Sequence, residues 1–390
     1  MNGHSDLVPP LPIRTEKLSR LTFSIVLYLC TGSSESCSSF LLYQMRIFIK
    51  TFGCQANISD SEKIAGLLER DYELVDNGDK SDVIIVNSCG VKSATQSTVL
   101  NYINKYKNKK IFVGGCLTKI LDLRKKYPEI NGVFDVNSIS KIKYIIENEK
   151  DVFSNKKEDK INLPVIRKDK DVGIIVIGEG CLGNCNYCGT KLAKGTLKSY
   201  RIGDIKREFE KAIKDGCKRI NLTSQDNGCY GYDIKTNLVE LLNELVKVEG
   251  DFKIRVGMIN PMYLDKRLLE VYESDKIMKF LHVPVQSGSD KVLEKMGRNY
   301  KIEEFKKKIK EFREKFFGIS IATDIIVGYP LESEKDFLES CKLIEEIKPE
   351  VLNISMFSSR PNTEAAKLEQ LDFKIVKERS RKLTKLFKSN

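Results

Sequence analysis

From Met45 onward, short apolar runs alternate with longer stretches in which apolar residues recur at helical spacing. That alternation predicts strands and helices taking turns along the chain, the pattern of an α/β protein. Arg46 to Thr51 reads as a short apolar strand, and Asp82 to Asn87 (DVIIVN) and Lys110 to Gly114 (KIFVG) read as buried ones. Ser59 to Arg70 reads as an amphipathic helix capped by Ser59 or Asp60. Glu129 to Val136 and Ile139 to Asn148 complete the series, so residues 45–150 predict a small doubly wound domain with a parallel sheet. Residues 151–170 are rich in Lys, Asp and Glu and poor in apolar periodicity, which predicts an inter-domain linker. A second series begins at Asp171. Its strands are Val172 to Ile177, Arg219 to Leu222, Lys253 to Val256, Phe280 to Val283, Ile319 to Ile326 and Val351 to Met356. Helices at Asp204 to Asp215, Asn237 to Val248, Ile302 to Lys315 and Glu334 to Ile347 separate them. Six βα units over residues 171–372 predict a partial or full β/α barrel, with polar motifs just after the strands, where barrels place their chemistry. Residues 373–390 predict a basic helix, Lys374 to Lys388, read equally well as a solvated face or an RNA-facing one.

The N-terminus departs from this pattern. Leu21 to Cys30 is a short apolar run behind Arg14, Lys17 and Arg20, which resembles a signal peptide and is too short to span a membrane. We read residues 1–44 instead as an upstream extension before a start at Met45, because everything after Met45 is one coherent reduced-thiol enzyme. No other segment approaches a membrane-spanning length, so no membrane partner is expected. The net charge of +12 favours an anionic partner, and nucleic acid fits best. Eleven cysteines against two histidines, His4 and His282, disfavour a histidine-based zinc site. The odd cysteine count over a long chain disfavours a secreted disulfide scaffold and points to the cytoplasm.

Cysteine spacing carries the chemistry. GCLGNCNYC places Cys181, Cys185 and Cys188 on one short loop after the first barrel strand. Three thiolates there can wrap one corner of an iron–sulfur cubane and leave one iron open to a bound molecule. Gly180, Gly183 and Gly189 let the loop fold tightly, and Tyr187 supplies an aromatic face. Zinc or plain burial are the competing readings; zinc usually takes a fourth Cys or His nearby, and none follows locally. Cys54 (KTFGCQAN), Cys89 (NSCGV) and Cys116 (GGCL) each follow a strand of the first domain. Loops after parallel strands converge on one edge of the sheet, so these three can share a second centre. Alone, each is better read as a small buried residue. Cys217 and Cys341 read as packing residues, and Cys229 as near the active face without being a ligand.

These motifs, together with TSQDNGCYGYD, RVGMINP, FLHVPVQSGSDKVLEKMGR, TDIIVGYP and KERSRKL, resemble the methylthiotransferase family of radical S-adenosylmethionine (SAM) enzymes from Met45 on. TSQDNGCYGYD and RVGMINP look most like the archaeal and eukaryotic branch. The resemblance implies a flavodoxin-like parallel-sheet domain followed by a radical SAM partial (β/α)6 barrel. It implies two [4Fe–4S] clusters and SAM: the cluster on Cys181, Cys185 and Cys188 cleaves SAM to a radical, and the one on Cys54, Cys89 and Cys116 carries the inserted sulfur. The implied substrate is the tRNA anticodon loop, where N6-threonylcarbamoyladenosine at position 37 gains a methylthio group at C2. An electron donor and a sulfur source are also implied, and the residues identify neither. An unactivated aromatic C–H is consistent with a radical route. Candidate SAM contacts are Tyr187, Ser224, Gln225, Asp226, Arg255, Gln286, Ser287 and Asp324, with Arg255 suited to fork onto the methionine carboxylate. Arg298 and Lys194 are candidates for tRNA phosphate.

The sequence also departs from the family pattern. Gly189 stands where a larger apolar residue is usual, and RPNTEAA where RPGTPAA is expected. The family continues into a small RNA-binding barrel, TRAM; the sequence stops at Asn390, so that barrel is read as missing or truncated. Alternative readings are a methylthiotransferase for isopentenyladenosine in tRNA or for a ribosomal-protein aspartate, and a non-catalytic metal-stabilised RNA-binding protein.

Overall fold

A computed structural model describes residues 44–90 and 93–389, and the described residues from Met45 on form one compact unit. The apolar run Leu21 to Cys30 lies outside the described residues.

The first half is a five-stranded sheet of β1 (Arg46–Thr51), β2 (Glu73–Leu74), β3 (Val83–Ser88), β4 (Lys110–Gly115) and β5 (Gly132–Val133). Strand order is β2-β1-β3-β4-β5, all parallel. β3 is buried at every position because helices cover both faces, which explains its unbroken apolar run. The covering helices are α1 (Gln55–Leu68), α2 (Ser93–Lys105), α3 (Leu123–Lys126) and α4 (Ile142–Asn148).

α1 differs from its sequence reading. It begins at Gln55 with Cys54 as its N-cap, one turn before Ser59. Its polar residues Asp60, Glu62 and Lys63 are buried instead of facing water. The reason is that α1 lies between the sheet and the barrel and packs on the first barrel strand. An amphipathic stripe cannot mark a helix covered on two sides. Ion pairs replace it: Lys63 with Glu208 at 3.3 Å and Lys160 with Asp60 at 3.0 Å.

The second half holds six parallel strands: β6 (Val172–Val176), β9 (Arg219–Thr223), β10 (Lys253–Val256), β11 (Phe280–His282), β12 (Ser320–Val327) and β13 (Val351–Met356). Ladders run β6-β9-β10 and β11-β12-β13. The amide of Met278 to the Ile254 carbonyl (2.9 Å) and that of Ile259 to the His282 carbonyl (2.9 Å) join the two groups. Among the described residues no ladder pairs β13 with β6, so the barrel is open. Between β6 and β9, the hairpin strands β7 (Gly178–Glu179) and β8 (Lys198–Ser199) pair antiparallel and bracket the cysteine loop and α5 (Gly189–Lys194). The outer layer consists of α6 (Ile202–Lys214), α7 (Leu238–Val246), α8 (Lys266–Val271), α9 (Asp290–Lys295), α10 (Ile302–Lys315) and α11 (Glu334–Ile347), and α12 (Phe373–Ser389) packs on α11 and β13. Cys217 and Cys341 belong to the barrel core.

Residues 151–170 contain no helix and no strand ladder, yet they are fastened across α1. The Ile166 amide donates to the Glu62 carbonyl (3.0 Å), the Lys168 amide to Glu62 Oε1 (3.0 Å), and Lys160 and Ile161 are buried. This segment is a strap that closes the seam between sheet and barrel.

Candidate active site

The first-domain cysteines lie on loops after β1, β3 and β4, which are neighbours in the sheet. Asn57, at the start of α1, draws them together. Its amide nitrogen donates to the carbonyls of Phe52 and Ser88, both at 2.9 Å, tying the loop after β1 to the loop after β3. Its carbonyl oxygen lies 3.8 Å from Cys54 Sγ and 3.9 Å from Cys116 Sγ. Cys89 flanks Gly53: a side chain at Gly53 would meet Cys89 Cβ at 2.5 Å and Sγ at 2.7 Å. Gly53 has φ +104°, so both its backbone and its lack of a side chain are required. Cys89 and Cys116 are buried and Cys54 is exposed. Burial pushes the Cys116 thiol up to about 12, opposed by the nearby Lys194 ammonium. Three soft sulfur donors on a convergent, half-enclosed edge fit an iron–sulfur centre.

The second set fits as well. The Gly183 amide donates to Cys181 Sγ at 3.2 Å, and Arg298 Nη1 to Cys185 Sγ at 3.6 Å. Cys188 is the N-cap of α5, and the amides of Thr190 and Lys191 oppose the upward effect of burial on its thiol. A hydrogen bond from Cys229 draws Cys181 down to about 7 despite burial. Cys181, Asp226 and Cys229 place their ligand atoms within 4.8 Å of one another. Burial lifts Asp226 to about 6, while the amides of Asn260 and Gly228, both at 3.0 Å, pull the other way.

α5 links the two sets. It starts at Cys188, and its Ala193 packs on Cys116. Its last residue, Lys194, is buried in a cluster of charges: Glu179 at 3.1 Å and Asp60 at 3.5 Å, which also hold Lys160 at 2.6 and 3.0 Å. Burial raises the Glu179 carboxyl, but the two ammonium groups outweigh it and hold the group far below its usual range.

Several residues stand elsewhere than the sequence suggested. Lys194 and Arg298 are not phosphate ligands at the surface: Lys194 is 3% exposed, and Arg298 reaches Cys185, the Pro284 carbonyl (2.8 Å) and Tyr300 (3.1 Å). Ser287 is fully buried, accepts the Ser289 amide at 3.2 Å and lies 3.5 Å from Ser340 of α11, so its hydroxyl is spent on the β11–α9 turn. Arg255 stands over the Phe280 ring at 4.3 Å, with Arg219 and Tyr272 around it. Its planar cation is thereby held on an aromatic face. Ser224 lies 3.2 Å from Asn227, and Gln225 accepts the Gly180 amide at the entrance to the cysteine loop. Gln286 has φ +76°, unusual for a residue with a side chain, and is pinned there by β12 through Asp324 and Ile326. Asp324 joins His282 (3.1 Å) and Asn353 (2.7 Å) across β11, β12 and β13. Tyr187 packs edge-on against Tyr329, 6.4 Å between ring centres.

Residues 175–344 match the radical SAM superfamily, and residues 46–135 match an uncharacterized family, UPF0004. A probable threonylcarbamoyladenosine tRNA methylthiotransferase from Pyrococcus abyssi is 41% identical over 88% of this chain and 84% of its own length. This chain belongs to the threonylcarbamoyladenosine tRNA methylthiotransferases. The human member of that family is 38% identical over 88% of this chain and 62% of its own. Among solved structures, the radical SAM methyltransferase TsrM from Kitasatospora setae aligns at a TM-score of 0.62 and 13% identity, covering 83% of this chain and 75% of that one. The cobalamin-dependent radical SAM enzyme OxsB aligns at 0.56 and 12%, covering 89% and 56%. Both show a shared fold of parallel-sheet domain plus radical SAM barrel. Membership of the radical SAM superfamily implies SAM and a [4Fe–4S] cluster.

Gly189 and Arg360 together explain one departure from the methylthiotransferase pattern. A side chain at Gly189 would meet Arg360 Cγ at 3.0 Å. The glycine therefore leaves room for the Arg360 side chain to cross the cysteine loop, where it donates to Gln96 of α2 at 2.8 Å and its charge acts on Cys89. Sequence reading missed Asn57 and Arg360, and gave Arg298 a phosphate role instead of its place beside Cys185. A motif position such as QAN marks Asn57 only once its two carbonyl partners are known.

Proposed function

We propose that this chain converts N6-threonylcarbamoyladenosine at position 37 of tRNA to its 2-methylthio derivative in the cytoplasm. What carries the reading is the presence of two separate three-thiol sets in one compact unit of a chain 41% identical to a relative of that name. A cluster on Cys181, Cys185 and Cys188 with SAM would supply the radical, and a second cluster on Cys54, Cys89 and Cys116 would hold the sulfur to be inserted. The protein's own residues do the positioning. Arg298 and the Gly183 amide orient Cys185 and Cys181 by charge and hydrogen bonding. Asn57 fixes the spacing of the loops that bear Cys54, Cys89 and Cys116. Asp226, Gln286 and Asp324 sit on the strand-end loops or the barrel-facing ladder and are suited to hold the polar ends of SAM. No helix among the described residues is long and apolar enough to cross a membrane. The electron donor and the sulfur source are separate partners.

The test is anaerobic reconstitution with iron and sulfide, incubation with SAM, reductant and threonylcarbamoyl-modified tRNA, and mass spectrometry of the nucleosides. A methylthio mark on that base is expected. A mark found on isopentenyladenosine and not on the threonylcarbamoyl base would sink the substrate assignment. Zinc in place of iron and sulfide in the purified chain would sink the enzyme reading.

A further inference from the structure

The loop TSQDNGCYGYD carries, next to its last residue, an exposed aromatic ring that the reading above does not use. Tyr232 is 56% exposed, and its ring centre lies 5.5 Å from that of Tyr263, the planes tilted by 57°. Tyr263 is half-buried on the turn Pro261–Tyr263. Its turn packs on Gly228, which is flanked in the chain by Asp226 and Cys229, whose ligand atoms lie within 4.8 Å of Cys181 Sγ. One ring therefore borders the cysteine loop and its partner opens to solvent.

The pair is held rigidly. Tyr230 is buried and donates its hydroxyl to the Tyr200 carbonyl at 2.8 Å, and the Gly231 amide donates to Ser199 Oγ at 2.9 Å. On the other side, Asn260 caps the turn that carries Tyr263, and its own amide is anchored on Asp226. A side chain at Gly228 would meet Tyr263 Cβ at 2.6 Å, so the two loops touch directly. The surroundings carry cations as well as aromatic rings. Lys235 is exposed on the Tyr232 loop, and Lys266 and Arg267 are exposed at the start of α8, just after the Tyr263 turn. Arg267 is paired with the N-cap Asp265 at 2.8 Å, and Asp233 is exposed beside Tyr232. An open ring face beside cations is the recognition chemistry of unpaired nucleobases, which stack on aromatic side chains while their phosphates meet Arg and Lys.

We propose that Tyr232 and Tyr263 form a stacking platform for one unpaired base of the RNA loop, next to the adenosine delivered to the cysteine loop. This rests on the tRNA reading given above and adds a binding element to it. A peptide loop is the competing occupant. It is disfavoured because the platform has cations at its rim, in a chain carrying 66 Lys and Arg against 54 Asp and Glu.

The test measures binding of the full reconstituted chain to a fluorescent anticodon stem-loop RNA and to a duplex of the same stem without the loop. Tyr232→Ala should weaken loop binding roughly tenfold, since a stacked base contributes on that order. It should leave duplex binding unchanged. Tyr232→Phe and Tyr232→Trp should bind the loop within about twofold of the parent, because the ring face and not the hydroxyl does the work. Unchanged loop binding by Tyr232→Ala would overturn the platform. So would Tyr232→Phe as weak as Tyr232→Ala, an equal loss on the duplex, or a peptide loop displaced by Tyr232→Ala while RNA is held normally. If the parent itself fails to bind the stem-loop, the tRNA reading falls first, and the platform with it.

Discussion

Lys194→Met is the most informative single change, because Lys194 ends the helix that begins at the third cysteine of the barrel loop. Its ammonium is 3.1 Å from Glu179 and 3.5 Å from Asp60, and all three side chains are at most 5% exposed. At an effective dielectric of about 20, each contact amounts to about 5 kcal/mol of Coulomb attraction. Desolvation of the ammonium and repulsion from Lys160 cancel much of that. What remains is one buried carboxylate left without its counter-charge, for which about 3–5 kcal/mol is the expected loss. That is a large share of the roughly 5–15 kcal/mol that holds a folded chain together. The assay is urea unfolding of the cluster-free chain under anaerobic conditions, for the parent, Lys194→Met, Glu179→Gln and the double variant. The double variant keeps the Lys160–Asp60 pair, so it should be more stable than the sum of the singles predicts, by about 2 kcal/mol or more. A loss below about 1 kcal/mol for Lys194→Met, or additive singles, would refute the idea that the charges act as one unit.

The same cluster sets a pH window. Glu179 is held below its ordinary 4.5, so its contribution is complete above 4.5 and is lost as pH falls through its native value. Lys194 is raised above 10.5, so its contribution is complete below 10.5 and is lost as pH rises through its native value. Urea midpoints should therefore be insensitive to these two groups between those limits, and Lys194→Met should blunt both arms. Cys181→Ala and Cys116→Ala should each keep about half of the parent's iron and sulfide after reconstitution, and a single change that empties both sets would contradict two independent centres. Gly53→Ala forces a side chain onto Cys89 and a left-handed backbone costing about 1–2 kcal/mol, so iron should be lost from the first-domain set while the barrel set stays loaded. Gly189→Ile should push Arg360 aside and break its bond to Gln96, read as an altered spectroscopic signature of the first-domain centre with the barrel centre unchanged.

The parts of this structure that follow local rules were legible in the sequence. β10, α10 and α11 fall at the predicted residues because each alternates buried and exposed positions at its own period, and β1 and β13 fall there as short, largely half-buried runs. Cysteine spacing exposed the barrel set directly, and the strand-end position exposed the other set. What was hidden depends on contacts between distant segments. α1 was misplaced because its charged residues are buried against the barrel and the strap. α8 and α9 are too short to show a period, and the two-residue strands β7 and β8 show none. Lys194 and Arg298 look like surface cations in any linear reading; only Asp60, Lys160 and Glu179 around one, and Cys185 and Tyr300 around the other, turn them into buried ones.

Why charges, and not apolar side chains, should close the seam between the two cysteine sets follows from the register they must keep. Asp60 comes from α1, Lys160 from the strap, Glu179 from β7 and Lys194 from α5. An apolar seam tolerates sliding, because one methyl contact replaces another. Two ammonium and two carboxylate groups do not, since any slip strands a buried charge at several kcal/mol. α5 joins Cys188 to Cys116: it is capped by Cys188, and its Ala193 shares a small buried cluster with Cys116. Pinning the last residue of α5 to β7 and α1 therefore fixes one cysteine set relative to the other. A reaction that hands a group from one centre to a base beside the other requires that spacing to hold, and tolerates little error in it.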